Sequence, residues 1–243
     1  MVLFTDFGVA GPYVGQMKMA LCRSAPGLEV VDLMADAPCF DPKAAAYLLA
    51  ALLPFTPPDA VVLGVVDPGV GSDRGAAVVE AEGRLLVGPD NGLFAIAGRR
   101  ADRSRCWAIR WRPPRLSATF HGRDLFAPVA ARLAAGELPS ALGCEEVALQ
   151  VGEDWPDDLA EIIYLDHYGN AITGLRGKGL GGEARILVGG KLLPVAVTFA
   201  DVAAGQAFGY VNSIGLVEIA VNRGRADRQL GLSIGDGATI CRD

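Results

Sequence analysis

What the chain has little of narrows its class before any motif is read. Of its 243 residues only two are histidine, and the five cysteines (Cys22, Cys39, Cys106, Cys144, Cys241) are scattered, odd in number and without a C-x-x-C pair. That argues against a structural zinc site and for reduced thiols in a cytoplasmic protein. No basic run occurs and the net charge is −6, so nucleic acid is not an expected partner. Apolar stretches are broken by proline or charge well short of the roughly 18 residues of a membrane span. The amino terminus shows no basic segment followed by a long apolar one, so no secretory signal is expected. Phosphate-loop and dinucleotide fingerprints, H-E-x-x-H and G-x-S-x-G are all missing, and Ser24, Ser72 and Ser117 have no nucleophile context. What is there is 51% hydrophobic and 21% charged, the composition of a chain with a substantial buried core.

The rest is organised around residues 61–74, V-V-L-G-V-V-D-P-G-V-G-S-D-R. The β-branched apolar run 61–66 reads as a buried strand. Asp67 follows where that strand would end, and Pro68, Gly69 and Gly71 force a tight turn that brings Arg74 within one loop's length. Ligands of open α/β sheets bind at the carboxyl ends of strands, which places Asp67 as a site residue; the alternative is a polar residue capping its own turn.

Read in order, residues 2–4 form a strand, Tyr13–Ser24 a helix and residues 28–33 a second strand. Asp41-Pro42 has the form of an N-cap and first-turn proline for a helix running to about Leu53, and residues 60–66 are the third strand. This alternation predicts a three-layer α/β domain with a largely parallel sheet. Ala76–Ala81 and residues 84–87 read as a hairpin around Glu82-Gly83, residues 107–111 as a strand, and residues 125–135 as a helix for which Asp124 is the expected N-cap. After about Gly152 the helical patterns stop, and Trp155-Pro156-Asp157-Asp158 reads as a linker. Short apolar runs between glycines (161–165, 171–175, 184–188, 191–199, 208–211, 216–221, 238–241) predict a small β-barrel or sandwich. The expected domains are residues 1–152 and 153–243.

Asp6, Asp67, Asp90-Asn91 and His121 all follow apparent strands of the first domain, so a parallel sheet would gather them on one edge. His121, flanked by Arg123 and Asp124, is the better histidine candidate; His167 is the weaker one. An oxygen-rich metal site from Asp6, Asp67, Asp90 and His121 is conceivable chemically, but no clustered histidine pair supports it, and no metal is expected.

Seven motifs occur in order: T-D-F-G (5–8), Y-V-G-Q-M-K (13–18), V-V-D-P-G-V-G-S-D-R (65–74), G-P-D-N-G (88–92), T-F-H-G-R-D-L-F-A-P-V-A-A (119–131), D-H-Y-G-N-A-I-T (166–173) and N-S-I-G-L-V-E-I-A-V-N (212–222). Together they resemble the S-adenosyl-L-methionine hydroxide adenosyltransferases, relatives of the fluorinase and chlorinase enzymes. The resemblance spans essentially the whole chain. It implies an N-terminal α/β domain, a C-terminal β-rich domain holding adenine and methionine, and a homotrimer whose substrate lies between subunits. It also implies hydrolysis of S-adenosyl-L-methionine, in its R-sulfonium form, to adenosine and L-methionine by water attacking ribose C5′, with no cofactor.

The resemblance carries over residue by residue. The catalytic aspartate, arginine and histidine of the hydroxide-transferring branch match Asp67, Arg74 and His121; a tyrosine stands at the position of Asp67 in the fluorinase. Asp6 matches the aspartate that chelates the ribose hydroxyls, and Phe40 an aromatic wall beside the ribose. Tyr168 and Asn170 match residues at the adenine and Phe199 an aromatic that stacks on it; Glu218 and Val221, together on one C-terminal strand segment, are expected to line its edge. Asp166 and Ser213 match residues holding the methionine ammonium and carboxylate. Two departures stand out: Gly11 replaces the final aspartate of the family's T-D-F-G-x-x-D, and Thr173-Gly174 stands where T-N is usual. Two other readings compete with hydrolysis. One is a halide-using 5′-halo-5′-deoxyadenosine synthase, disfavoured because a carboxylate at the anion site repels halide. The other is a nucleoside-binding module without turnover.

Overall fold

The computed structural model describes residues 1–149, 151–178, 180–181 and 183–242. Packing divides the chain into two units, Met1–Trp155 and Pro156–Asp243. Trp155, read above as linker, belongs to the first unit: its carbonyl accepts from Arg99 at 2.6 Å, and its ring leaves no room for a side chain at Gly92.

The first unit runs β1 (Val2–Thr5), α1 (Tyr13–Ser24), β2 (Val31–Met34), α2 (Pro42–Leu52), β3 (Val61–Val65), β4 (Ala76–Ala81), β5 (Arg84–Pro89), α3 (Ala95–Arg100), β6 (Ser104–Ile109), α4 (Ala127–Ala134) and β7 (Cys144–Val147). Its seven strands are ordered β2-β1-β3-β5-β4-β6-β7. The expected parallel core is present: β2, β1, β3 and β5 pair in parallel, while β4, β6 and β7 extend the sheet antiparallel. Alternate side chains serve opposite faces, as the pleat requires. Leu3, Leu63 and Val87 pack with Met17 of α1 and Val129 of α4. Phe4, Val62 and Leu86 pack with Ala45 and Leu49 of α2 and Ala97 of α3. The result is three layers.

Local signals account for most element ends. The Asp41 carboxylate accepts from Ala44 N–H at 2.9 Å, with Pro42 in the first turn of α2. The Glu82-Gly83 hairpin forms as expected, with Glu82 at φ 52°. Three boundaries differ. β2 begins only at Val31, where its N–H reaches the Met1 carbonyl. β6 stops at Ile109, before Pro113-Pro114. The helix expected from residue 125 starts as a π-turn over Gly122–Phe126 and continues as α4. Pro128 has no N–H to donate, and the ladder absorbs one extra residue ahead of it, Ala127 N–H reaching Gly122. Asp124 is therefore not an N-cap; its carboxylate accepts from Ser117 N–H at 2.9 Å and pairs with Arg123.

The second unit contains β8 (Leu159–Leu165), β9 (Ala171–Arg176), β10 (Arg185–Val188), β11 (Lys191–Pro194), β12 (Ala207–Val211), β13 (Leu216–Val221), α5 (Ala226–Leu230) and β14 (Ala238–Cys241). Two antiparallel sheets, β11-β10-β14 and β12-β13-β9-β8, enclose one core in which Ile186, Val188 and Leu193 meet Ile162, Val217 and Ile219. The long run 191–199 breaks at Pro194, and the one-and-a-half-turn helix α5 corrects the expectation that helix is missing here.

Candidate active site

The register of the parallel core assembles the first site. Val2 pairs with Val62 and Thr5 with Val65, while Val62 pairs with Leu86. β1, β3 and β5 thus end on one edge, delivering Asp6, Asp67 and Asp90. Asp6, Phe40, Asp67 and His121 line a cleft of about 370 Å³ with Tyr13 and Phe120.

Arg74 folds back onto Asp67. Its Nε donates to Oδ1 at 2.7 Å and its Nη2 to Oδ2, a bidentate pair that is almost fully buried. The guanidinium lies 5.2 Å over the Phe126 ring, and Nη2 is 3.2 Å from His121 Nδ1. The His121 pKa is lowered, first by burial and next by Arg74, with Asp67 opposing. Asp6 accepts from Phe40 N–H at 3.2 Å through Oδ2. Burial raises its pKa, partly offset by that hydrogen bond. Phe40 itself is exposed and held at φ 59°, a conformation uncommon for a bulky residue. Gly11 sits at φ 102° with open space around it, a backbone that suits glycine and disfavours the aspartate expected there.

The second site lies within the second unit, in a cleft of about 870 Å³ lined by Asp166, Tyr168, Asn170, Phe199, Ser213, Glu218 and Val221. Asn170 is fixed by Asp166, whose oxygens accept its backbone N–H at 2.8 Å and its Nδ2 at 3.0 Å. The turn before it needs Gly169: at φ 81°, a Cβ would fall 2.5 Å from Asp227 Oδ1. Arg225 pairs with Asp227 and donates to the His167 carbonyl at 2.8 Å. His167 is not among the residues lining the cleft.

Glu218 is 5% exposed and bonded at both oxygens, by the Tyr210 hydroxyl and by Asn212 Nδ2 at 2.9 Å. Burial raises its pKa against those two donors, and burial together with Glu218 raises that of Tyr210. Phe199 stands edge-on to Tyr210 at 5.3 Å. Tyr210 and Asn212 were not singled out from sequence. The signal was available: Tyr210 faces Glu218 across β12 and β13, and a glutamate inside an apolar strand requires donors.

Among the described residues, no group of three His, Cys, Asp or Glu side chains is placed to hold a metal ion. No helix among them is long and apolar enough to cross a membrane. Cys106 and Cys144 are buried, and burial pushes the Cys106 thiol up to about 11.

The chain thus carries an α/β unit with an Asp–Arg–His cluster at its strand ends and a β-sandwich unit with a cleft of polar and aromatic residues. Residues 1–143 match the SAM hydroxide adenosyltransferase N-terminal domain and residues 160–239 the C-terminal domain. The chain belongs to the SAM hydroxide adenosyltransferase family. It is 45% identical over 249 residues, 95% of each chain, to the (R)-S-adenosyl-L-methionine hydrolase of Thermus thermophilus. It is 40% identical over 252 residues to the enzyme of that name from Salinispora tropica, covering 96% of this chain and 94% of the relative. A fluorinase from an Actinoplanes species is more distant, 25% identical over 266 residues, with 90% and 89% coverage. The crystal structure of an uncharacterized conserved protein from Thermotoga maritima is similar at a TM-score of 0.89 and 32% identity, over the full length of both chains.

Proposed function

We propose that the chain hydrolyses S-adenosyl-L-methionine, as the R-sulfonium epimer, to adenosine and L-methionine. The observation that carries this reading is the buried bidentate Asp67–Arg74 pair with His121 beside it, at the rim of the cleft that also holds Asp6. The sulfonium is already a good leaving group, so the chemical demand is to orient water in line with ribose C5′ and remove its proton. Arg74 stabilises the developing negative oxygen. Arginine carries no acceptor, so the His121 nitrogen facing it presents a lone pair. The imidazole is then neutral with its proton on Nε2, a donor for the water oxygen, and Asp67 is the proton acceptor. Asp6 takes the ribose diol on Oδ1 while Oδ2 is held by Phe40. In the second unit Tyr168, Asn170, Phe199, Glu218 and Val221 hold adenine, and Asp166 and Ser213 the methionine end. Each unit supplies half of what the substrate needs, which supports a homotrimer with sites shared between subunits, and the five free cysteines support a cytoplasmic location; a monomer by light scattering with full activity would refute that assembly.

The deciding experiment incubates the protein with S-adenosyl-L-methionine in oxygen-18 water, with and without chloride. Adenosine labelled at its 5′ oxygen is expected. A 5′-halo nucleoside would establish the halide-using alternative, and binding without product the non-catalytic one.

A further inference from the structure

We propose that the Asp90-Asn91 turn after β5 is a positioning device that holds the Asp67–Arg74 pair in its reactive geometry. This rests, for its kinetic consequence, on the hydrolase reading. Neither residue lines the cleft, so both act through others. Asn91 Nδ2 donates to the Val66 carbonyl at 2.8 Å, fixing the peptide that leads directly into Asp67. Its Oδ1 accepts from Leu93 N–H at 3.3 Å, which settles which way the amide points. Asp90 N–H donates to the Gly75 carbonyl at 3.1 Å. That same carbonyl accepts Arg74 Nη1 at 2.6 Å. One turn therefore grips both partners, Asp67 through the preceding carbonyl and Arg74 through the following one.

The turn cannot drift. A Cβ at Gly88 would lie 2.1 Å from the Gly64 carbonyl, one at Gly75 3.1 Å from Asp90 Oδ2, and one at Gly92 2.4 Å from the Trp155 ring. Close backbone contact with β3 on one side and an indole on the other fix where Asn91 stands. The arrangement is out of proportion to a simple strand-end turn, whose own hydrogen bonds would suffice to close it.

The test uses Asn91→Ala and Asn91→Asp in the full chain. For each, kcat and KM for adenosine formation, thermal unfolding and the NMR titration of His121 are measured, with His167 as internal reference. Displacing the pair by about 1 Å should lower kcat on the order of 100-fold with KM little changed. The His121 midpoint should move up, because Arg74 no longer depresses it from 3.2 Å. In Asn91→Asp, protonation restores a donor toward Val66, so activity relative to the unaltered protein should climb as pH falls. The Asn91→Ala ratio should stay flat. Variants with unaltered kcat and His121 titration would overturn the proposal, as would a kcat loss that follows melting alone while His121 titrates normally. If the unaltered protein makes no adenosine, the hydrolase reading fails, and the His121 titration still decides the positioning.

Discussion

Arg74 Nη2 and His121 Nδ1 lie 3.2 Å apart, a guanidinium donor facing an imidazole nitrogen. The contact exists only while that nitrogen is unprotonated, since a protonated ring would bring two cations and two donors together. Folding therefore favours neutral His121, and the unfolded chain takes up the proton at higher pH. The sign follows: His121 costs no stability above the ordinary histidine pKa, and stability is lost as pH falls through its lowered value in the fold. Arg74→Met should raise the His121 midpoint in an NMR titration and shrink that acid-side loss in thermal unfolding. A midpoint unmoved by the substitution would refute the coupling.

Asp6→Ala should weaken adenosine binding by about 1–3 kcal/mol, since buried hydroxyls lose their acceptor. Calorimetry with 2′-deoxyadenosine provides the control. The deoxy analogue should bind the unaltered protein worse than adenosine does, and the Asp6→Ala protein about equally. An equal discrimination in both proteins would place the ribose elsewhere.

Arg74 bonds Asp67 and lies 3.2 Å from His121, so the contributions of the three to turnover should not add. Each single alanine variant should lose most of the rate and the triple variant little more. Adenosine affinity should persist in the Arg74 and His121 variants, whose side chains the proposed reaction assigns to the water and not to the nucleoside. Single-turnover rates that multiply across the three sites would contradict a common unit.

Glu218 is a carboxyl that burial holds above its usual pKa. Protonation favours the fold: the contribution is complete at acid pH and is lost as pH rises through the raised value. Glu218→Gln can keep both partners, its oxygen toward Asn212 and its amide nitrogen toward the Tyr210 hydroxyl. The variant should melt higher than the unaltered protein at neutral pH, and the gap should close on acidification. A gap independent of pH would mean that charge burial is not what the glutamate costs.

The parallel core was legible because β1, β3 and β5 announce themselves twice, by apolar runs and by the aspartates Asp6, Asp67 and Asp90 that follow them. Val61–Val65 followed by Asp67 needed only the parallel register to become a site, and Asp41-Pro42 named the start of α2. Less was visible where tertiary pairing decides. Cys144–Val147 reads C-E-E-V, whose exposed glutamates gain strand form by pairing with β6 and from Arg105 on that strand and Arg110 just after it. The six residues of α3 and five of α5 are too short to show a helical period. In the candidate sites, most of the residues that line the two clefts came from motifs, whereas Asn91 and Tyr210 act through hydrogen-bond partners outside their own turn or strand. The bond from Asn91 to Val66 has no local signal, and that from Tyr210 to Glu218 shows only as a glutamate inside an apolar strand that requires donors.

Pro128 gives the π-turn at Gly122–Phe126 a meaning beyond local irregularity. One residue more than an α-turn holds swings the chain ahead of it by about 100°, and the segment swung is the one that carries His121. Replacing Pro128 with a residue that has an N–H invites the helix to close regularly and turn His121 away from Arg74. Helical regularity and site geometry therefore pull in opposite directions at this position. A screen for thermal stability that accepts such a substitution would select a firmer helix and a misaligned imidazole together.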